Sequence, residues 1–337
     1  MFNDSASAVG FLLLLGLLAN SKFVGVDAAQ SKMYNSTHLR KVYPTPRLAE
    51  SVTVNLKGFD SIHSKTFAGF RKTSEVTLVN CDKLTELPLK LLTPLFKLDT
   101  FNASNCNLGK LQAGVFNYPK LSSFRLLFLA SNNISTVNES ALELPKLWVL
   151  DLSGNENLKL VANVFKGVSG LLTLLLRQVS LTQLDAKLGC FAGLESLSLL
   201  DLSRNQISAL GKTSFDLDLY QLKRLVLSHN LIGQVHKLAF LPLISLTSLE
   251  MTYNRLKQVP AGIVYYVSSI AYSAGIDLGY NQLAKVDPNI FYCSRLYFLG
   301  LCGNYCPYIC KDQNVCYNIE KMKSVWAKSA KPCVNNV

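Results

Sequence analysis

Charge is scarce in this chain: only 17% of its 337 residues are Asp, Glu, Lys or Arg, while 49% are hydrophobic. A disordered chain has the reverse balance, so a folded core is expected. Histidine is scarcer still, with four residues at His38, His63, His229 and His236. No two of them have metal-binding spacing, and neither a glycine-rich phosphate loop nor a nucleophile elbow occurs. Ser228 and His229, with Asp201 one repeat earlier, suggest a nucleophilic triad on paper, but consecutive residues of an extended strand point apart. No catalysis, cofactor or metal is therefore expected. After the amino terminus no apolar run approaches the roughly 20 residues that span a bilayer, so no further membrane span is expected. The lysines are dispersed rather than striped with aromatics, which argues against a nucleic-acid partner.

The amino terminus does hold an apolar run, from Ala8 to Ala19, followed by small residues. Val26 and Ala28 fit cleavage after Ala28 by an export peptidase, so residues 1–28 are expected to be a secretory signal and the mature protein to be secreted. The basic flank that usually precedes such a run is missing, and an uncleaved membrane anchor is the competing reading. Losing 1–28 removes Lys22, Asp4 and Asp27, which raises the net charge from +12 to +13. A basic protein favours acidic surfaces. Its densest cluster, Lys311, Lys321, Lys323, Lys328 and Lys331, nevertheless reads as a solvated face.

The dominant feature is a leucine spacing, LxxLxLxxNxL, clear at Leu225 to Val235. It recurs ten times, and its ninth position falls at Cys81, Cys106, Asn132, Asn155, Val179, Asn205, Asn230, Asn254, Asn281 and Asn304, at intervals of 23 to 27 residues. A period in this range means a solenoid. The LxL pair alternates as a strand does, sending both leucines inward and the residue between them to solvent. One repeat buries too little apolar surface to offset its ordering entropy, so repeats must stack and pair their strands into a parallel sheet. An asparagine at the ninth position can satisfy backbone groups of adjacent coils that would otherwise be buried unpaired.

With these repeats the chain resembles the extracellular leucine-rich repeat proteins over about residues 50–306. Their typical class carries a phenylalanine on the outer arc, matched by Phe116, Phe165, Phe215, Phe240 and Phe291 and replaced by Ile263 in one coil. The Gly-x-Ile-Pro signature of plant receptors is absent. The resemblance implies an α/β solenoid: a curved horseshoe with a parallel concave sheet and an irregular or short-helical convex side. The implied organisation is a signal at 1–28, a flank at 29–50, a solenoid of about 10–11 repeats at 51–301 and a cap at 302–337. Function is implied only broadly, as a secreted module that binds an extracellular protein ligand, receptor-like or as an effector, or as an inhibitor or matrix and adhesion protein acting by occupancy.

Six of nine cysteines crowd the carboxyl end: Cys293, Cys302, Cys306, Cys310, Cys316 and Cys333. They resemble the cysteine-rich cap of extracellular repeat proteins and are expected to form disulfides, although the usual Cys-x-Cys pair is missing and the pairing stays open. The competing reading is a zinc site at Cys302, Cys306 and Cys310. Residues 318–328 read as a short helix with Ile319, Met322, Val325 and Trp326 on one face. Cys81 and Cys106 occupy equivalent positions in adjacent coils; a bridge is geometrically possible, but buried thiols standing in for asparagine are expected. Cys190, beside Phe191, reads as a buried core thiol.

Asn35, Asn102, Asn133 and Asn138 each begin a glycosylation sequon. The residue between paired leucines and the residue two positions earlier form two outward columns. One runs Glu75, Thr100, Leu126, Val149, Thr173, Leu199, Arg224, Ser248, Gly275 and Phe298, and the other Thr77, Asn102, Phe128, Asp151, Leu175, Asp201, Val226, Glu250, Asp277 and Gly300. Solubility alone would make these polar. Instead Leu126, Phe128, Val149, Leu175, Leu199 and Val226 form an apolar group bordered by Asp151, Arg177, Asp201, Arg204 and Arg224, the pattern of a protein-binding face. Tyr253, Tyr280 and Phe298 form a second, aromatic candidate.

Overall fold

The computed structural model describes residues 33–116, 123–138, 140–186, 189–260, 263, 274–286 and 296–305. The expected signal at 1–28, Phe291, Cys293, Cys306, Cys310, Cys316, Cys333 and the helix at 318–328 lie outside the described residues.

Among the described residues one parallel sheet holds eleven strands, paired in chain order. They are β1 (Ser51–Asn55), β2 (Glu75–Val79), β3 (Thr100–Asn102), β4 (Leu126–Phe128), β5 (Val149–Asp151), β6 (Thr173–Leu175), β7 (Leu199–Asp201), β8 (Arg224–Val226), β9 (Ser248–Glu250), β10 (Ala274–Asp277) and β11 (Leu296–Gly300). The leucine template sets the register. Leu127, Leu150, Leu174, Leu200, Leu225, Leu249 and Ile276 lie side by side on successive strands, and every one is fully buried. Each apolar side chain thus packs against its counterparts above and below, which is how coils too small to fold alone share one core. One irregularity, between Ala274 and Gly275, interrupts the pairing of β10 with β11.

The convex side is irregular as expected, with short strand pairs such as Ala209–Leu210 on Gln234–Val235 and 3-10 turns at Lys166–Val168 and Leu217–Gln221. Its interior is a spine of Phe116, Phe165, Phe191, Phe215, Phe240 and Ile263, all buried. The rings of Phe165 and Phe191 stack with centroids 6.4 Å apart, and those of Phe215 and Phe240 at 6.0 Å.

At the ninth position each asparagine amide ties its coil to the preceding one. Asn230 Oδ1 accepts the Ile207 N–H at 3.0 Å, while its Nδ2 donates to the carbonyls of Leu202 and Leu227 at 2.9 and 3.0 Å. Asn132, Asn155, Asn205, Asn254, Asn281 and Asn304 repeat the arrangement. Val179 has no amide, so the Leu158 N–H donates to the Asn155 carbonyl of its own coil at 3.0 Å. Cys81 and Cys106 are not the free thiols expected. They form a disulfide with Cα atoms 4.6 Å apart, because stacked strands bring equivalent positions within bridging distance.

Ahead of the sheet, the flank folds into a helix, α1 (Ser36–Val42), that no periodicity announced. Asn35 caps it, its Oδ1 accepting the N–H groups of Thr37 at 3.0 Å and His38 at 3.3 Å. Leu39 and Tyr34 are buried beside Phe59, and Met33–Tyr34 pairs with Ser61–Ile62, so the flank covers apolar residues of the first coil.

Candidate functional site

Both outward columns stand in register across the sheet, from Glu75 to Phe298 and from Thr77 to Gly300. Leu126, Phe128, Val149, Leu175 and Leu199 alternate with fully buried leucines and are themselves half-buried, on four consecutive strands. Crowding at the strand spacing of about 4.8 Å shades their flanks and leaves their tips to solvent. Val226 departs from the expected exposed group: it is only 9% exposed. A short β-branched side chain, it stands in register between the longer Asp201 and Glu250 and is shaded by the crowding of that row. The bordering charges pair among themselves, Arg177 Nε with Asp201 at 3.6 Å and Arg224 with Glu250 at 2.7 Å.

The column carboxylates are occupied locally. Asp151, Asp201 and Asp277 each accept the backbone N–H two residues on, at 2.9 Å, and Asn102 makes the same bond to Ser104. Burial pushes the Asp151 and Asp277 carboxyls above the usual range, against the opposing bonds from Ser153 and Gly279. These residues shape the turn that follows each strand.

Two apolar residues that column reading passed over extend the group. Trp148, 49% exposed, and Leu172, 42% exposed, immediately precede β5 and β6. Backbone bonds from Trp148 N–H to the Arg125 carbonyl and from Leu172 N–H to the Trp148 carbonyl set Arg125, Trp148 and Leu172 on successive coils. The Arg125 guanidinium lies 5.0 Å from the centroid of the Trp148 ring, a cation–π contact that holds the indole in place. Their signal in the sequence is a large apolar residue at a template position that should be polar.

The second candidate is reorganised. Tyr253 and Tyr280 stack in parallel with ring centroids 4.3 Å apart, and His229 stacks on Tyr253 at 4.3 Å. Arg204 precedes them at the equivalent place one coil earlier. Phe298 belongs instead to the first column, paired with Gly275 on β10. Burial, then the charges of Arg204 and Arg177, hold the His229 imidazole below its usual pKa. The triad sketched from sequence does not assemble, since the Ser228 hydroxyl is hydrogen-bonded by Thr252 Oγ1 at 2.9 Å and the His229 ring lies on Tyr253. Among the described residues no group of three His, Cys, Asp or Glu could hold a metal ion.

Of the sequon asparagines, Asn133 and Asn138 are exposed, while Asn35 is the half-buried cap of α1 and Asn102 is half-buried on β3. Cys190 is not a buried core thiol but half-buried, lining an open cleft of about 330 Å³ with Leu160, Leu181 and Asp185. Its coil carries Val179 at the ninth position in place of asparagine. Cys302 is half-buried just after β11. No helix among the described residues is long and apolar enough to cross a membrane.

The leucine rich repeat family profile matches residues 96–156 and 197–256. Lumican of Oryctolagus cuniculus is 33% identical over 181 residues, covering 53% of this chain and 86% of that protein. Transforming growth factor beta activator LRRC33 of Danio rerio is 36% identical over 151 residues, which are 44% of this chain but 21% of that longer protein. Among solved structures, TLR13 in its complex with ssRNA13 shares the fold, with a TM-score of 0.62 at 20% identity over 80% of this chain and 41% of that one. Repeat spacing, parallel sheet, asparagine ladder and relatives agree, and the chain belongs to the leucine-rich repeat proteins.

Proposed function

We propose that this chain is a secreted recognition module, without enzymatic activity, that binds a protein ligand through its concave face, as a receptor ectodomain or an effector does. One observation carries the reading: Leu126, Phe128, Val149, Leu175 and Leu199 turn their tips outward on four adjacent strands, where solubility would favour polar residues, and Trp148 and Leu172 continue the apolar surface to the strand starts. Apolar side chains on a rigid sheet can be desolvated by a partner with little ordering cost, and an exposed tryptophan beside an arginine is a frequent interface anchor. The relative named as an activator of transforming growth factor beta supports a protein as the ligand class.

Export is supported by the apolar leader, the four sequons and the Cys81–Cys106 disulfide, which belongs in an oxidising compartment. The organisation that goes with it is a signal at 1–28, a flank at 29–50, a solenoid at 51–301 and a disulfide-linked cap at 302–337, with glycans at Asn35, Asn102, Asn133 and Asn138. An inhibitor or an adhesion protein acting by occupancy would use the same face. The test is affinity capture with protein purified from culture medium. A partner retained by the wild type and lost with Trp148→Ala supports the reading, whereas a partner retained equally by Trp148→Ala and Phe128→Ala places the binding face elsewhere.

A further inference from the structure

We propose that the row Arg204, His229, Tyr253 and Tyr280 is a second binding strip, and that it takes a short acidic segment of the ligand, extended across the coils. The inference rests on the reading that the ligand is a protein and adds a charged contact to the apolar one. The four residues occupy the same place in successive coils, three positions past the ends of β7, β8, β9 and β10, and all adopt the left-handed backbone with φ between 54° and 58°. The turn, not local packing, therefore aims all four side chains the same way.

The ring faces turned toward one another are used up. His229 lies on Tyr253 and Tyr253 on Tyr280, with interplanar angles of 8° and 5°. Beyond Tyr280 comes Gly303, where any side chain would collide with the tyrosine ring. Ligands that stack on an open aromatic face, such as nucleobases or sugar rings, find none free between these planes. Solvent instead meets the ring edges, with Tyr253 46% and Tyr280 48% exposed. The edge is the positive pole of an aromatic quadrupole, and two phenolic hydroxyls and a guanidinium add hydrogen-bond donors to it.

Charge selects the same class of ligand. Arg177 is matched by Asp201 and Arg224 by Glu250, but Arg204 is exposed and makes no ion pair among the described residues. It is the uncompensated cation at one end of a rigid row of donors. Three coil steps of about 4.8 Å make the row roughly 14 Å long, the span of about four residues of extended peptide. Stacked rings are already ordered, so little side-chain entropy is lost when a ligand docks.

The probe is a fluorescein-labelled peptide with four consecutive Asp or Glu residues flanked by Gly and Ser, titrated by anisotropy against the purified secreted chain. The wild type is expected to bind saturably. Arg204→Glu should weaken binding at least about tenfold, and Tyr253→Phe with Tyr280→Phe, which keeps the stack and deletes the donors, about fivefold. Phe128→Ala should leave peptide affinity unchanged while impairing capture of the full ligand, so the two readings fail separately. Absence of saturable binding overturns the proposal. So does an equal loss in Arg71→Glu, a charge-matched control on the exposed Arg71, because net charge alone would then explain the affinity. An unchanged double phenylalanine variant reduces the strip to a lone arginine and also overturns it. Binding of a heparin oligosaccharide or single-stranded RNA in place of the peptide, sensitive to Arg204→Glu, would assign the strip to another class of polyanion.

Discussion

Between Asn205 and Asn304 an amide side chain ties each coil to the one before, whereas Cys81 and Cys106 tie their coils with a covalent bridge. The two chemistries occupy one position and meet one geometric demand, a small group that reaches across a single coil spacing. They differ in what they leave undone. The amide satisfies buried backbone groups in two coils at once, while the disulfide satisfies none, and the Leu84 N–H donates instead to the Cys81 carbonyl at 3.0 Å. The amide therefore acts on the folded state and the bridge chiefly on the unfolded chain, whose freedom it restricts.

Substitution separates the two kinds of tie. The largest loss is expected from the core both regions share: Leu227→Ala should cost about 2 to 5 kcal/mol through the cavity it leaves, read from urea unfolding, and a smaller loss would mean Leu227 is not packed as described. Next comes the bridge, which closes a loop of 25 residues. Cys81→Ala with Cys106→Ala should cost about 3 kcal/mol, and reductant should reproduce that loss in the wild type alone. Asn230→Ala leaves the buried Ile207 N–H without its partner and removes one of the two amide donors from each of the Leu202 and Leu227 carbonyls, so about 1 to 3 kcal/mol should be lost regardless of reductant.

The smallest effect concerns charge. Burial raises the Asp277 carboxyl above its ordinary value of 3.8, so the folded state holds its proton more tightly than the unfolded chain. The stability this contributes is complete below that ordinary value and is lost as pH rises through the raised one. Asn102 makes the same turn bond without a charge. Asp277→Asn should therefore hold the turn, flatten the fall in melting temperature as pH rises above the ordinary carboxyl value, and raise it slightly at neutral pH. A melting temperature lowered throughout would show that the charge itself is needed.

The register was legible because the LxL period leaves no freedom: a one-residue slip would turn every leucine outward. Both columns follow from that, and so does the identity of Leu126, Phe128 and Leu175 as outward residues. Other features depend on neighbours that are remote in sequence. The shading of Val226 depends on the lengths of Asp201 and Glu250 in adjacent strands. The bridge depends on two cysteines brought to 4.6 Å, which spacing alone permits but does not select. The Tyr253 and Tyr280 stack requires the left-handed turn repeated in register, and Trp148 stands outside both outward columns, just ahead of its strand. In α1 the cap at Asn35 is a local signal, but seven residues are too few for a hydrophobic period to show.

In the proposed reading the outward side of the sheet serves binding while the inward side holds the fold. Measuring unfolding free energy and ligand affinity together for Phe128→Ala and Leu175→Ala tests it most directly. Stability should be nearly unchanged and affinity lowered by about 1 to 3 kcal/mol for each. Loss of folding in either variant, or full affinity in both, would contradict it.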